Sequence, residues 1–476
     1  MADRRGVARA SIRAAGGVAG IAVAALLIAG ASVLPVPSFS IAAPVSRVAP
    51  VPADQQRVCP GPVLALAADA SAATSASSVG APSLSYATDG PAVQTRLLKP
   101  DSDAGGRSEA PQALTVSTPA GSTTPPLISA AQTQDAETPD LAGLAAAACA
   151  EPSGDSWLVA GSTALGQTSL VLLSNPTSVQ ATVDLTVFAE TGPVDAPGAA
   201  GIVVPAGAQK VIPLAGLAPS VSAPIVHVQA TGGQVLASLQ QSFEQGIDPR
   251  GVELTGPTAS PSRVQVISGM TIASLAKLQA SQSGEGYGAD LPAVRVFVPG
   301  TQDAEITVGA VGENGTAAGN SYAQTIKAGT VGEVPLDHLK DGYYTVTVRS
   351  SVPVVAAART SVVGSKTRDF SWFVSSRPMT DAFLVAVPSA PSPVLHLANP
   401  GTTDQKVVIA GRSGAPLTVT VPAEGATHVG LAVTDYTVTG AQGLYAGVSV
   451  AGDGVASSYA LNPAGPQAAP IDVYAR

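Results

Sequence analysis

The chain has 476 residues, too many for one hydrophobic core, so several domains are expected. Charged residues make up only 12% and aromatic residues 4%, while 49 glycines and 40 prolines punctuate the chain; this excludes long salt-bridged helices and suits short strands joined by turns. The formal charge of -9 excludes a nucleic-acid partner, because phosphate recognition needs clustered Lys and Arg.

Arg4, Arg5, Arg9 and Arg13 form a basic tail over residues 1–13, followed by an uncharged apolar stretch over 14–34 that Pro35 and Pro37 end. As a helix rising about 1.5 Å per residue, that stretch reaches across a hydrocarbon core of about 30 Å. Basic residues before the span, with no comparable cluster after it, place the tail in the cytoplasm and the bulk of the chain outside. A cleaved signal peptide with a small-residue site near Ala42 is the alternative, and it too exports the chain. Residues 35–56 read as a linker.

Cys59 and Cys149 are the only cysteines, and in an oxidising compartment such a pair is expected to form a disulfide. Two cysteines without neighbouring histidines do not make a structural zinc site, which needs four ligands. Residues 57–155 are expected to be a Cys-bridged, partly low-complexity region, with strands at both ends and disorder between them.

Beyond this the chain repeats. Val204-Pro-Ala-Gly-Ala-Gln-Lys-Val-Ile-Pro-Leu214, Ile326-Lys-Ala-Gly-Thr-Val-Gly-Glu-Val-Pro-Leu336 and Val421-Pro-Ala-Glu-Gly-Ala-Thr-His-Val-Gly-Leu431 each join two short β runs through a small turn. Before each copy lies an alternating run, Ala181-Thr-Val-Asp-Leu-Thr-Val187, Ala304-Glu-Ile-Thr-Val308 and Gln405-Lys-Val-Val-Ile409, whose period of two marks one buried face. Six or seven short strands per copy predict an all-β fold of tandem immunoglobulin-like β-sandwich repeats after a single N-terminal transmembrane helix. The repeats are placed at 156–262, 291–370 and 371–476, with a connector at 263–290. A closed propeller-like array is set aside because three blades are too few for one.

The two tryptophans, Trp157 and Trp372, both sit in Ser-Trp-[Leu/Phe]-Val and read as a second repeat marker. Each is either sandwich core or a platform on which a sugar ring stacks. Ser274-Leu-Ala-Lys277 matches the Ser-x-x-Lys of penicillin-binding enzymes, but no Ser-x-Asn or Lys-Thr-Gly partner accompanies it. His227, His338, His396 and His428 are far apart and read as strand-face histidines rather than metal or acid–base groups. No catalytic residue, metal site or cofactor is expected.

Ser156-Trp-Leu-Val-Ala-Gly161, Leu170-Val-Leu-Leu-Ser-Asn-Pro176, Ile212-Pro-Leu-Ala-Gly-Leu217 and Gln240-Gln-Ser242 together resemble an uncharacterised family of actinobacterial membrane proteins known only as a domain of unknown function. The likeness runs over most of the chain from Cys59 onward. It implies one N-terminal span and an extracytoplasmic β-rich region, and it transfers no catalytic residue. The function expected is a non-enzymatic structural or interaction protein of the cell envelope, partnered by an envelope protein or cell-wall glycan. A glycan-binding module is the alternative and a wall-active enzyme the remote one.

Overall fold

The computed structural model describes residues 23, 45–48, 53–66, 76–101, 109–122, 124–281, 291–315, 320–464 and 471–474. The apolar stretch 14–34, apart from Val23, and the possible cleavage site near Ala42 lie outside the described residues. No helix among the described residues is long and apolar enough to cross a membrane. Residues 1–50 with 469–476 form one compact unit, in which Val45–Val48 pairs antiparallel with Ile471–Tyr474. Residues 51–468 form the other unit, which is almost entirely β apart from short helical turns such as Leu275–Ser281.

Strand formation follows the side-chain pattern. In Ala181–Ala189, Val183, Leu185 and Val187 are buried while Asp184 and Thr186 are exposed, as expected for a strand with one wet face. Gln167–Asn175 is instead buried along most of its length. Val171 and Leu173 face the core shared with Val183 and Val187, whereas Leu170 and Leu172 join a second core with Leu64 and Ala145. A continuous apolar run thus marks a strand covered on both faces.

The strands of this unit fall into four successive groups that share a pairing order. In the second group, setting aside the two-residue strand Gly192–Pro193 that pairs with Ala181–Ala189, the first, sixth, third and fourth strands are neighbours: Asp155–Leu158, Ile225–Gly232, Ala181–Ala189 and Ile202–Val204. The fifth, second, seventh and eighth form another sheet: Ala208–Pro213, Gln167–Asn175, Leu236–Gln245 and Asp248–Thr255. The fourth group, from Phe383–Ala386 to Val455–Leu461, repeats this order strand for strand. In the third group, one bent strand of 22 residues, Gly342–Val363, serves as both sixth and seventh. Its first half pairs with Ser262–Ile272 and Ala304–Gly312, its second half with Ala293–Phe297 and Arg368–Val374.

The first group corrects the expectation of disorder between the cysteines. Gln55–Val58, Gln112–Val116 and Gln94–Leu97 form one sheet, and Ser83–Thr88, Ile128–Glu137 and Ala142–Ala148 another. This is the same order with the fourth and fifth strands missing and an extra pair, Leu64–Leu66 with Ala76–Ser78, inserted after the first strand. Cys59 and Cys149, which follow its first and last strands, are joined in a disulfide. Beside them Val58 pairs with Ala150, and the corresponding bridges in the next two groups are Trp157 with Thr258 and Val266 with Ser376. The disulfide therefore reinforces a closure that the second and third groups make with hydrogen bonds alone.

Two further readings change. The stretch 263–290, read as a connector, opens inside Ser262–Ile272, the first strand of the third group. Trp372 lies on Arg368–Val374, the last strand of that group, whereas Trp157 lies on the first strand of the second. Their matching tetrapeptides occupy non-equivalent positions, so they do not mark a repeat.

The last strands of the four groups, Ala142–Ala148, Asp248–Thr255, Arg368–Val374 and Val455–Leu461, pack in a closed circuit, each against the next and the fourth against the first. At its centre the Asp369 carboxylate accepts one backbone N–H from each strand: Leu144 at 2.8 Å and Ala456 at 3.2 Å on Oδ2, Val252 at 3.2 Å and Phe370 at 3.0 Å on Oδ1. Burial pushes this carboxyl upward and the four N–H groups oppose it. Both oxygens are filled by backbone donors, which oppose the upward push of burial without cancelling it. Gly143 and Gly251 line the same centre, where a Cβ on either would come within 2.8 Å or less of Asp369 Oδ1. Nearby, burial pushes the Glu253 carboxyl well up, and the Ser457 hydroxyl at 2.8 Å bonds it.

Candidate functional site

The third and fourth groups meet at a polar joint. Glu313 follows strand Ala304–Gly312 in a short turn and is fully buried. Its Oε1 accepts the Thr345 hydroxyl at 3.0 Å, and its Oε2 lies 2.6 Å from His396 Nδ1 and 3.6 Å from His428 Nδ1. His396 and His428 stand directly opposite each other on paired strands of the fourth group, Val394–Asn399 and Gly425–Gly430. The ring of Tyr343 packs on both, with centroids 5.3 and 4.6 Å away. The Asn314 amide completes the joint by accepting the His428 backbone N–H at 3.3 Å.

His396 Nε2 lies 2.7 Å from Ser449 Oγ, so Ser449, His396 and Glu313 stand in the order of a nucleophile, a base and its orienting acid. His396 and Ser449 are 0% and 2% exposed, however, which leaves no surface for a substrate to reach. The seal is local and specific. Strand Ser262–Ile272 slips register between Ile267 and Met270, and Gly269 adopts a φ of 79° there. A Cβ at Gly269 would lie 2.3 Å from the His396 ring, so the bulge is the socket that receives it. Burial alone pushes Glu313 up, but the charge and hydrogen bond of His396, with bonds from His428 and Thr345, outweigh it and hold the carboxyl at about 2.

A groove of about 240 Å³ opens beside this joint. One wall is the outward face of the third group, with Thr307, Thr345, Thr347 and Arg349; the other is formed by turns of the fourth, including Asn399 and Glu424. Thr345 therefore touches both the groove and the buried Glu313.

Neither tryptophan offers a face to a sugar. Trp157 is 6% exposed, stacked on the His227 ring at 3.9 Å, and Trp372 is 2% exposed with its indole N–H donated to Gln241 at 2.8 Å. The Arg295 guanidinium covers the Trp372 ring at 4.6 Å. Both side chains are core, since each buries a large apolar body, and Trp372 also satisfies the polar group it brings. Ser274 precedes the helix Leu275–Ser281, and Asp341 accepts the N–H groups of Ser274 and Leu275 at 2.9 and 3.0 Å. Its pairing with Lys277 is the ordinary helical bond from Lys277 N–H to Ser274 O. His227 pairs with Asp155 in the second group and His338 with Asp337 in the third, so neither joins the cluster of His396 and His428. Among the described residues no group of three His, Cys, Asp or Glu side chains is arranged to hold a metal ion.

Sequence reasoning missed Glu313, Tyr343 and Ser449. The apolar strand interrupted by Ser268-Gly269 was the one local signal, since an isolated glycine in a strand marks a bulge or a close approach.

Two solved structures resemble parts of the chain. Thermotoga maritima 1070 is 18% identical, with 24% of this chain and 92% of that one covered at a TM-score of 0.20. A tetra-tandem repeat from the extending region of a large adhesion protein is 11% identical, with 80% and 90% covered at a TM-score of 0.10. No curated protein matches. The model of a family of unknown function, DUF5719, matches residues 103–432, more than half of the sequence, and the chain belongs to that family.

Proposed function

We propose that this is a non-enzymatic structural or interaction protein of the bacterial cell envelope, held by a single N-terminal span over 14–34 with its bulk outside the membrane. The observation that carries this reading is the disulfide joining the only two cysteines, at the closure of the first strand group. Such a bridge persists in an oxidising compartment and not in a reducing cytosol. The recurring strand order supports tandem β-sandwich repeats of immunoglobulin-like size, closed on one another instead of strung in a line. A rigid body of this kind suits a scaffold that presents surfaces to an envelope protein. The burial of both tryptophans removes the aromatic platforms on which the glycan-binding reading rested. The burial of Ser449 and His396 likewise argues against a wall-active enzyme.

The test is fractionation of cells producing the full chain, with thiol labelling before and after reduction. A membrane-associated chain that is cut by external protease and labels only after reduction fits the proposal. A soluble cytoplasmic chain with free thiols overturns it, and release into the medium after cleavage near Ala42 overturns the anchor alone. Co-sedimentation with isolated cell walls then separates partners. Binding to protein-stripped walls that free glycan competes away would restore the glycan reading.

A further inference from the structure

The three repeated turns share a backbone but not the residue at their third position. Ala208 donates its N–H to Pro205 O, Thr330 to Lys327 O and Gly425 to Pro422 O, each at 3.2 Å. The residue third in each turn is Gly207, Gly329 and Glu424, with φ of 66°, 71° and 50°. The backbone is thus the same in all three, but the fourth group puts a glutamate where the others use glycine. A side chain in this left-handed conformation strains the backbone, which glycine avoids. Retained strain of this kind is a pointer to function.

Glu424 lines the groove beside the polar joint. Its turn is held rigid, since the Asn399 side chain donates to Val421 O at 3.2 Å and Glu424 N–H donates to Gly401 O at 2.9 Å. On the opposite wall stands Arg349, exposed at its register position between Val264 and Thr307. Neither Glu424 nor Arg349 forms an ion pair with another described residue. Between them the lining offers the hydroxyls of Thr307, Ser321 and Thr347, and no aromatic ring. A sugar would find no stacking surface, and a simple anion or cation would meet a charge of its own sign. A molecule carrying both an ammonium and a carboxylate would have each matched.

We propose that this groove binds a short zwitterionic peptide, with its ammonium on Glu424 and its carboxylate on Arg349. The volume of about 240 Å³ suits a peptide of two or three small residues and not a folded segment. The hydroxyls supply partners for the peptide amides, and the Asn399 bonds fix the Glu424 wall before the ligand arrives, which lowers the ordering cost of binding. This site stands independently of the envelope reading.

The experiment is calorimetric titration of the purified full-length chain with alanyl-alanine in both enantiomeric series, with N-acetyl-alanyl-alanine, and with alanyl-alanine amide. Saturable binding of a free dipeptide, weakened at least tenfold by blocking either end, is expected. Glu424→Gly restores the residue found in the sister turns, so it is expected to melt at the same or a higher temperature while losing dipeptide binding. Arg349→Gln is expected to abolish the preference for the free carboxylate over the amide. Absence of saturable dipeptide binding, equal binding of the blocked peptides, or undiminished binding by Glu424→Gly would each overturn the proposal. A lower melting temperature for Glu424→Gly would overturn it too, because the glutamate would then be structural.

Discussion

Replacing Asp369 by alanine removes the only side chain that answers four backbone N–H groups at the centre of the circuit of last strands. Each buried N–H left unpaired costs about 1–3 kcal/mol. Removing the buried carboxyl returns part of that, because its desolvation penalty disappears as well. A net loss of roughly 3–5 kcal/mol is expected, a large fraction of the ~5–15 kcal/mol that typically holds a domain folded. Asp369→Asn retains one acceptor oxygen but turns an NH₂ toward two of the donors, so it should lose about 2–3 kcal/mol. Denaturant unfolding followed by the fluorescence of Trp372, on the same strand, measures the loss. Hydrogen exchange at Leu144, Val252, Phe370 and Ala456 locates it. If Asp369→Ala stayed within about 1 kcal/mol of the native chain, with those four amides still protected, the carboxylate would not be what holds the circuit together.

Glu313 is held at about 2, below its ordinary value of 4.5, so its contribution to stability is complete above 4.5 and is lost as pH falls from there toward 2. Glu313→Gln should flatten acid unfolding in that window while lowering stability at neutral pH, measured as melting temperature against pH. Glu253 has the opposite sign: burial raises it, so its contribution is present below 4.5 and fades as pH climbs through the raised value. Glu253→Gln, which keeps the neutral shape, should lessen the loss of stability on the alkaline side. Gly269→Ala pushes a methyl group into the His396 ring and strains a φ of 79°, and a loss above about 2 kcal/mol is expected in thermal unfolding. Reduction of Cys59–Cys149 releases a loop of sequence separation 90, worth on the order of 4 kcal/mol in the loop-entropy picture, and exchange should rise first in the strands of residues 55–148.

The strands themselves were legible. Ala181–Ala189, Ala304–Gly312 and Gln405–Gly411 carry the period of two that a half-buried strand imposes, and their turns carry the small residues that reversal of the chain requires. The pairing of Cys59 with Cys149 followed from their number alone. The first group was hidden because its strands are rich in Ala, Ser and Thr, whose weak hydrophobic contrast reads as linker although Ala131, Ala145 and Ala147 are buried. The place of Trp372 was misread because a tetrapeptide match carries no information about which strand of a repeat it occupies.

The sequence by itself determined the local chemistry of this protein, namely where strands form, where turns reverse them and which cysteines join, because those properties depend on neighbours along the chain. Only the tertiary structure decided that four groups close on one another around Asp369, that His396 enters the Gly269 bulge to meet Glu313, and that Glu424 faces a groove opposite Arg349. Each of these joins residues tens to hundreds of positions apart, and nothing in local hydrophobic periodicity encodes which distant strand a given face will meet.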